Sequence, residues 1–329
     1  MADFKRGISV AAFFSFITAG WIAGCENPSG TSSIPLLTQE EPLPSVLPTS
    51  PSSSSGSART VRVYVAGESI ERRNRFLEQP FLSDGRLNDR GGGSARNDTN
   101  EYGWMIPLAD RLKLRNSAVT VQFVGSTDWS SGDDAAYSGT YPTGGPGRTS
   151  AISGSDVETW NDERRAELQA RAYCYDVAFA ARGGNDKGTD DGFYSTLMAQ
   201  LIDRLRSGSS CQSNPIIYVT AHLPDYSGPG STPTNLNHWY VDRVRTIVDG
   251  YVAGHPGARV HFIDMFTPFM NNQATTAFPS EVWFSGGNFD FAKIGRSGDL
   301  AHPRRLASIY AGEIAADQID LNELLVVVP

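Results

Sequence analysis

The stretch Val61-Arg62-Val63-Tyr64-Val65-Ala66-Gly67-Glu68-Ser69-Ile70 decides how the rest of the chain is read. Its first half, Arg62 apart, is a short run of β-branched, aromatic and small residues, the composition of a buried strand. Gly67 then allows a sharp turn. Ser69 follows at a strand-to-helix junction, with its hydroxyl exposed and its backbone N–H near a helix start, where it can point at an anion. A Gly-x-Ser in such a place is most often a plain helix cap, so residues further along must decide what Ser69 is for.

Outward from this stretch, similar apolar runs recur at Val119 to Val124, Tyr173 to Ala180, Pro215 to Ala221 and Arg259 to Ile263, each bounded by Gly, Asn, Asp or Ser. Between them lie amphipathic segments. In Asn235 to Ala253, Leu236, Tyr240, Val244, Ile247, Val248 and Tyr251 recur at helical spacing, and in Phe193 to Leu205 the leucines 197, 201 and 205 share a face. Strand alternating with helix predicts a parallel sheet covered by helices on both sides, an α/β/α sandwich. Chemistry in such sheets gathers beyond the carboxyl ends of the strands, just after Ala66, Val124, Ala180, Ala221 and Ile263.

Two of those positions, together with the C-terminal region, carry polar groups of the right kind. The third run ends in Ala181-Arg182-Gly183-Gly184-Asn185-Asp186, where two glycines admit a close backbone approach and Asn185 offers an amide donor; ordinary turn chemistry is the competing reading. Near the C-terminus stands Asp299-Leu300-Ala301-His302-Pro303, a spacing that lets a carboxylate orient an imidazole base. Pro303 suits the first turn of a closing helix over Arg304 to Ile319. After the second run, Phe123-Val124-Gly125-Ser126 is followed by Thr143-Gly144-Gly145-Pro146-Gly147-Arg148-Thr149-Ser150.

Taken in order, these blocks resemble the SGNH/GDSL hydrolases over nearly all of residues 60 to 329. The resemblance implies a flavodoxin-like α/β/α fold and a serine esterase. Ser69 would be the nucleophile, His302 the base and Asp299 its orienter, with an oxyanion hole of the Ser69 and Gly147 N–H groups and the Asn185 amide. It implies no cofactor and no metal. The Gly147 block is similar to that of acetylxylan-esterase-like members, which implies an acetylated polysaccharide or oligosaccharide as substrate. One residue departs from the family pattern: Glu68 stands where the family usually has Asp, which leaves the form of the first turn open.

Other enzyme classes lack their signatures. Glu71 breaks a Gly-x-Ser-x-Gly elbow, no P-loop or dinucleotide fingerprint occurs, and His222, His238, His255, His261 and His302 show no metal-binding spacing. His222 follows a strand and suits a structural or substrate-contacting role. Two further readings stay open: a lipase, arylesterase or thioesterase acting on small acyl esters, and a non-catalytic surface binding module on the same fold.

The N-terminus adds an address. Lys5 and Arg6 precede an apolar stretch from Ile8 to Ala23, shorter than a spanning helix, which ends in Ile22-Ala23-Gly24-Cys25 and resembles a bacterial lipobox. Residues 1–25 thus read as a lipoprotein signal with Cys25 as the lipid-attachment site. Residues 26–59, with Pro42, Pro44, Pro48, Pro51 and the run Ser52 to Ser55, read as a flexible tether, and 60–329 as the catalytic domain. The expected location is the bacterial cell envelope, periplasmic or surface, held to the membrane by the lipid. In an oxidising compartment Cys174 and Cys211 either bridge or stay as two thiols. A net charge of −8 without a basic cluster argues against nucleic acid as a partner. Trp104, Trp129, Tyr137, Tyr141 and Trp160 are read as loop aromatics available to stack on sugar rings, or else as packing residues.

Overall fold

The computed structural model describes residues 59–72, 79–88, 103–128, 148–227, 230–278, 283–285, 287–296 and 299–326, without the side chains of Asp128, Arg296, Asp299 and Leu300. The signal segment, Cys25 and nearly all of the tether lie outside the described residues, as do Trp129, Tyr137, Tyr141 and Gly147.

Five strands form one parallel sheet: β1 (Arg59–Ala66), β2 (Val119–Val124), β3 (Val177–Ala180), β4 (Ile216–Thr220) and β5 (Val260–Ile263). Their spatial order is β2-β1-β3-β4-β5, with Val63 paired to Phe123 of β2 on one side and to Val177 of β3 on the other, so β1 lies between them. The order reverses there: one connection leaves β1 to one side and the next returns to its other side. The reversal opens a crevice at the carboxyl ends of β1 and β3, where ligands of such sheets bind.

Alternation along the strands supplies both faces. Val61, Val63, Val65 and Phe179 pack with helices α1 (Met105–Arg115) and α5 (Arg305–Asp317). Tyr64, Ala66, Ala178 and Ala180 pack with α2 (Val157–Gln169), α3 (Asp191–Ser207) and α4 (Arg243–Gly254). The α/β/α layering predicted from the runs is therefore present. Within the first layer Gly312 lets α5 approach α1 closely, since a Cβ there would lie 2.5 Å from Pro107.

Three local differences from the sequence reading stand out. The third run is a strand only from Val177; just before it, the Asp176 carboxylate accepts from the Arg62 backbone N–H at 2.9 Å and its guanidinium at 3.0 Å. Upstream of it Cys174 is bonded to Cys211, their Cα atoms 5.0 Å apart. The segment expected as one helix over Asn235 to Ala253 starts at Pro233 behind a Thr232 cap and contains a π-helical turn, His238–Asp242, before α4.

The third difference concerns His302. Residues Asp299–Pro303 form a short strand paired antiparallel with Gly295–Arg296, and α5 begins only at Arg305. Pro303 is thus the end of a strand, not the first turn of a helix. A proline disfavours helical backbone in the residue before it, so Pro303 holds His302 extended and delays the helix.

Candidate active site

The turn after β1 is shaped by exclusion and by a buried carboxylate. A Cβ on Gly67 would lie 2.4 Å from the Cβ of Glu71, so no larger residue fits. Glu71 is buried; it accepts the Glu68 N–H at 2.8 Å and the Trp104 indole N–H at 2.7 Å. Burial, then the neighbouring Glu68 charge, raise its carboxyl above the usual range, opposed by the Glu68 N–H. These bonds fix a single helical turn, Ser69–Arg72, with Ser69 as its first residue.

The loop after β3 is pinned to the same turn by buried charges. The Arg182 guanidinium, 1% exposed, donates to Gly67 O at 2.8 Å and to Ser155 O at 2.5 Å. Glu68 reaches the other way. Its carboxylate accepts the Gly183 N–H at 2.7 Å, the Gly184 N–H at 3.1 Å and the Asn185 amide at 2.7 Å. Gly183 has φ +132°, a backbone that favours glycine, and a Cβ on Gly184 would lie 2.6 Å from His222 Nε2. The second amide hydrogen of Asn185 goes to Ser155 O at 3.1 Å. Asp186 accepts the Val157 N–H at the start of α2, and burial pushes its carboxyl up to about 6 against the pull of that bond.

His302 comes from the far end of the chain. Its Nε2 lies 2.8 Å from Ser69 Oγ, across 233 residues of sequence, a distance at which the hydroxyl can donate to a neutral ring nitrogen. Asp299 opens the strand that carries His302, while its carboxylate is outside the described side chains. Gly147 is likewise outside, but the residues after it reach the site: Arg148–Thr149 pairs with Thr127–Asp128, and the Ser150 N–H donates to Val65 O at 3.1 Å. Gly125 permits this, since a Cβ there would lie 2.4 Å from the Thr149 backbone.

Ser69, Glu68, Asn185 and His222 share a cleft of about 400 Å³ with Lys187 and Asp225. His222 is buried and its Nδ1 lies 2.8 Å from Leu223 O. A carbonyl can only accept, so Nδ1 carries the proton. The Ser69 contact belongs to His302, and His222 forms part of the cleft wall. Lys187 donates to Asp225 at 2.8 Å and to Ser227 O, tying the loop after β4 to the loop after β3.

The site thus brings together Ser69, His302 and Asn185. Trp104 and Trp160, read from the sequence as loop aromatics, are fully buried; their indole N–H groups bond Glu71 and Ser150 O, so neither is available to a sugar. Glu68 and Arg182 escaped the sequence reading as site residues. For Glu68 the departure from the family Asp was itself the signal: the longer side chain spans from the first turn to the glycines and Asn185.

No protein-family model and no curated protein matches the chain. Solved structures similar to it include a family 3 carbohydrate esterase from Clostridium thermocellum, at 17% identity and TM-score 0.45, covering 78% of this chain and 93% of that one. A carbohydrate esterase of family 3 from Talaromyces cellulolyticus matches at 13% identity and TM-score 0.44, covering 78% and 95%. A catalytic mutant of an acetylxylan esterase from Geobacillus stearothermophilus matches at 13% and 0.43, covering 82% and 95%. In the order of its sequence blocks the chain resembles the SGNH/GDSL hydrolases.

Proposed function

We propose that the protein is a serine esterase that removes O-acetyl groups from a carbohydrate. The observation that carries the esterase reading is the 2.8 Å approach of His302 Nε2 to Ser69 Oγ at the switch point of the sheet. Ser69 Oγ attacks the ester carbonyl and passes its proton to His302 Nε2. The tetrahedral intermediate collapses as His302 protonates the departing alcohol, leaving an acyl-serine. Water, deprotonated by His302, then releases the acid and restores Ser69. Asp299 holds the imidazole in the tautomer with Nε2 free to accept. The developing oxyanion is met by the Ser69 and Gly147 N–H groups and the Asn185 amide, each strong donor contributing about 3–4 kcal/mol. For Asn185 this means exchanging the longer of its two bonds, the 3.1 Å one to Ser155 O, for the oxyanion.

The mixed lining of the cleft favours a short acyl group. Glu68, Asn185, Lys187, His222 and Asp225 line it beside Ile70, Gly184 and Ala301, so a long chain would meet charged and polar groups along with apolar ones. An apolar groove would reward each added methylene with ~0.8 kcal/mol; a half-polar wall rewards it less. The same reading has the enzyme exported and held at the cell envelope by a lipid on Cys25, on the support of the lipobox-like Ile22-Ala23-Gly24-Cys25 and the Pro/Ser segment after it. The test is kcat/KM across acetyl, butyryl and octanoyl p-nitrophenyl esters, with acetate release from acetylated xylan in parallel. A preference for acetyl with acetate released from xylan is expected. A rise toward octanoyl with no acetate from any glycan would reject the carbohydrate reading while leaving the esterase intact.

A further inference from the structure

The loop after β4 carries one conspicuously exposed aromatic. Tyr226 is 41% exposed and stands between Asp225 and Ser227, both of which line the cleft of Ser69. Its ring stacks on Phe291, centroids 4.3 Å apart at 24°. Phe291 is met edge-on by Phe289 at 4.7 Å, and Phe289 by Phe284 at 5.7 Å, so Tyr226 heads a row of four rings whose other three members are half-buried.

This row of rings is held in place from several sides. Asp225 accepts the Ser227 N–H at 2.7 Å, and Lys187 clamps the same loop, so the backbone on either side of Tyr226 is fixed. Phe291 packs on the cluster of Leu236, Tyr240 and Phe266, and Phe284 and Phe289 pair across a short hairpin. A large aromatic left partly in water on a fixed backbone, beside a reactive cleft, offers an apolar face with a polar tip to a ligand entering that cleft. Because the ring is already positioned, little ordering cost attends binding.

We propose that the Tyr226–Phe291 pair is a stacking subsite for a pyranose ring of the glycan whose acetyl group enters the cleft. The inference rests on the carbohydrate reading above and gives it a place on the surface. A pyranose has an apolar C–H face and a rim of hydroxyls. The Tyr226 ring offers a flat apolar face, and the cleft beside it is lined by the polar Asn185, Lys187 and Ser227. An acyl chain would match the ring and leave those polar groups unused. Stacking does not depend on the identity of the sugar, so xylan and cellulose fragments are equally suitable probes.

The experiment compares full-length wild-type and Tyr226→Ala enzyme on p-nitrophenyl acetate and on acetylated xylan, and titrates unacetylated xylohexaose and cellohexaose into their Ser69→Ala forms. Tyr226→Ala is expected to leave kcat/KM on p-nitrophenyl acetate unchanged, to raise KM on acetylated xylan about three- to tenfold at constant kcat, and to weaken hexaose binding by a similar factor. Tyr226→Trp should retain both. Equal activity of Tyr226→Ala on the polymer, or a parallel loss on p-nitrophenyl acetate, would overturn the subsite. So would a selective loss on p-nitrophenyl octanoate, which would make the occupant an acyl chain. The two readings separate in one further comparison. If no acetate is released from xylan but hexaose binding is present and Tyr226-dependent, the deacetylation reading fails and the subsite stands; if no hexaose binds, the subsite fails.

Discussion

On one wall of the cleft, the turn after β1 and the loop after β3 are locked by buried charge: Arg182 onto Gly67 and Ser155, Glu68 onto Gly183, Gly184 and Asn185. On the other wall, His302 arrives on a two-stranded ribbon and is half-buried. The difference separates two kinds of residue. A side chain in the first wall shapes the site and supports the fold together, because removing it strands a buried partner. Changing His302 should touch the chemistry with far less effect on the fold.

The largest effect expected is therefore on turnover alone. His302→Ala should lower kcat for ester hydrolysis by about four orders of magnitude or more while the melting temperature stays near wild type. Unchanged turnover would move the base role to another histidine, with His222 first to test. Glu68→Gln should come next and should differ in kind. A glutamine supplies one acceptor oxygen and one amide group, so a donor must face either a glycine N–H or the Asn185 amide. Turnover should fall about a hundredfold and stability by about 1–3 kcal/mol, read by kinetics and by thermal melting. A drop in activity with no change in melting would mean that the two walls do not differ as described.

Asn185→Ala sharpens the comparison within the first wall. Its amide is proposed to meet charge that develops only in the transition state, so kcat should fall about a hundredfold with KM little changed. A rise in KM alone would make Asn185 a substrate-positioning group.

Asp186 gives the smallest effect, on stability. Its folded-state carboxyl stands at about 6, above the ordinary 3.8, so the folded form binds that proton more tightly. The stability it lends is complete below the unfolded value and is lost as pH climbs through about 6. Asp186→Asn should remove that loss, raising neutral-pH stability by on the order of 1–2 kcal/mol and flattening the melting temperature between about pH 4 and 6 relative to wild type. Parallel pH curves for the two proteins would contradict this.

Much of the architecture was legible because its signals are local. Val61 to Ala66 and Val119 to Val124 are strands as read, and the leucines of α3 face the core as their spacing requires. Ser69, Asn185 and His302 were legible as blocks in a fixed order. What was not legible depends on contacts distant in sequence. Glu68 finds its partners more than a hundred residues away. Trp104 and Trp160 flank loops in sequence yet fill the core, and Tyr226 looks like any loop tyrosine until the fold sets its neighbours Asp225 and Ser227 in the cleft wall. Pro303 carried two local readings, first turn of a helix or brake on the residue before it, and the second holds.

Ser69 is proposed as a nucleophile activated by His302. Reaction of the full-length protein with a fluorophosphonate, followed by intact-mass and peptide mapping, tests it without assuming a substrate. A single adduct on Ser69 is expected, absent from Ser69→Ala and formed far more slowly in His302→Ala. An unmodified Ser69, or ester hydrolysis at the wild-type rate by Ser69→Ala, would rule out Ser69 as the nucleophile.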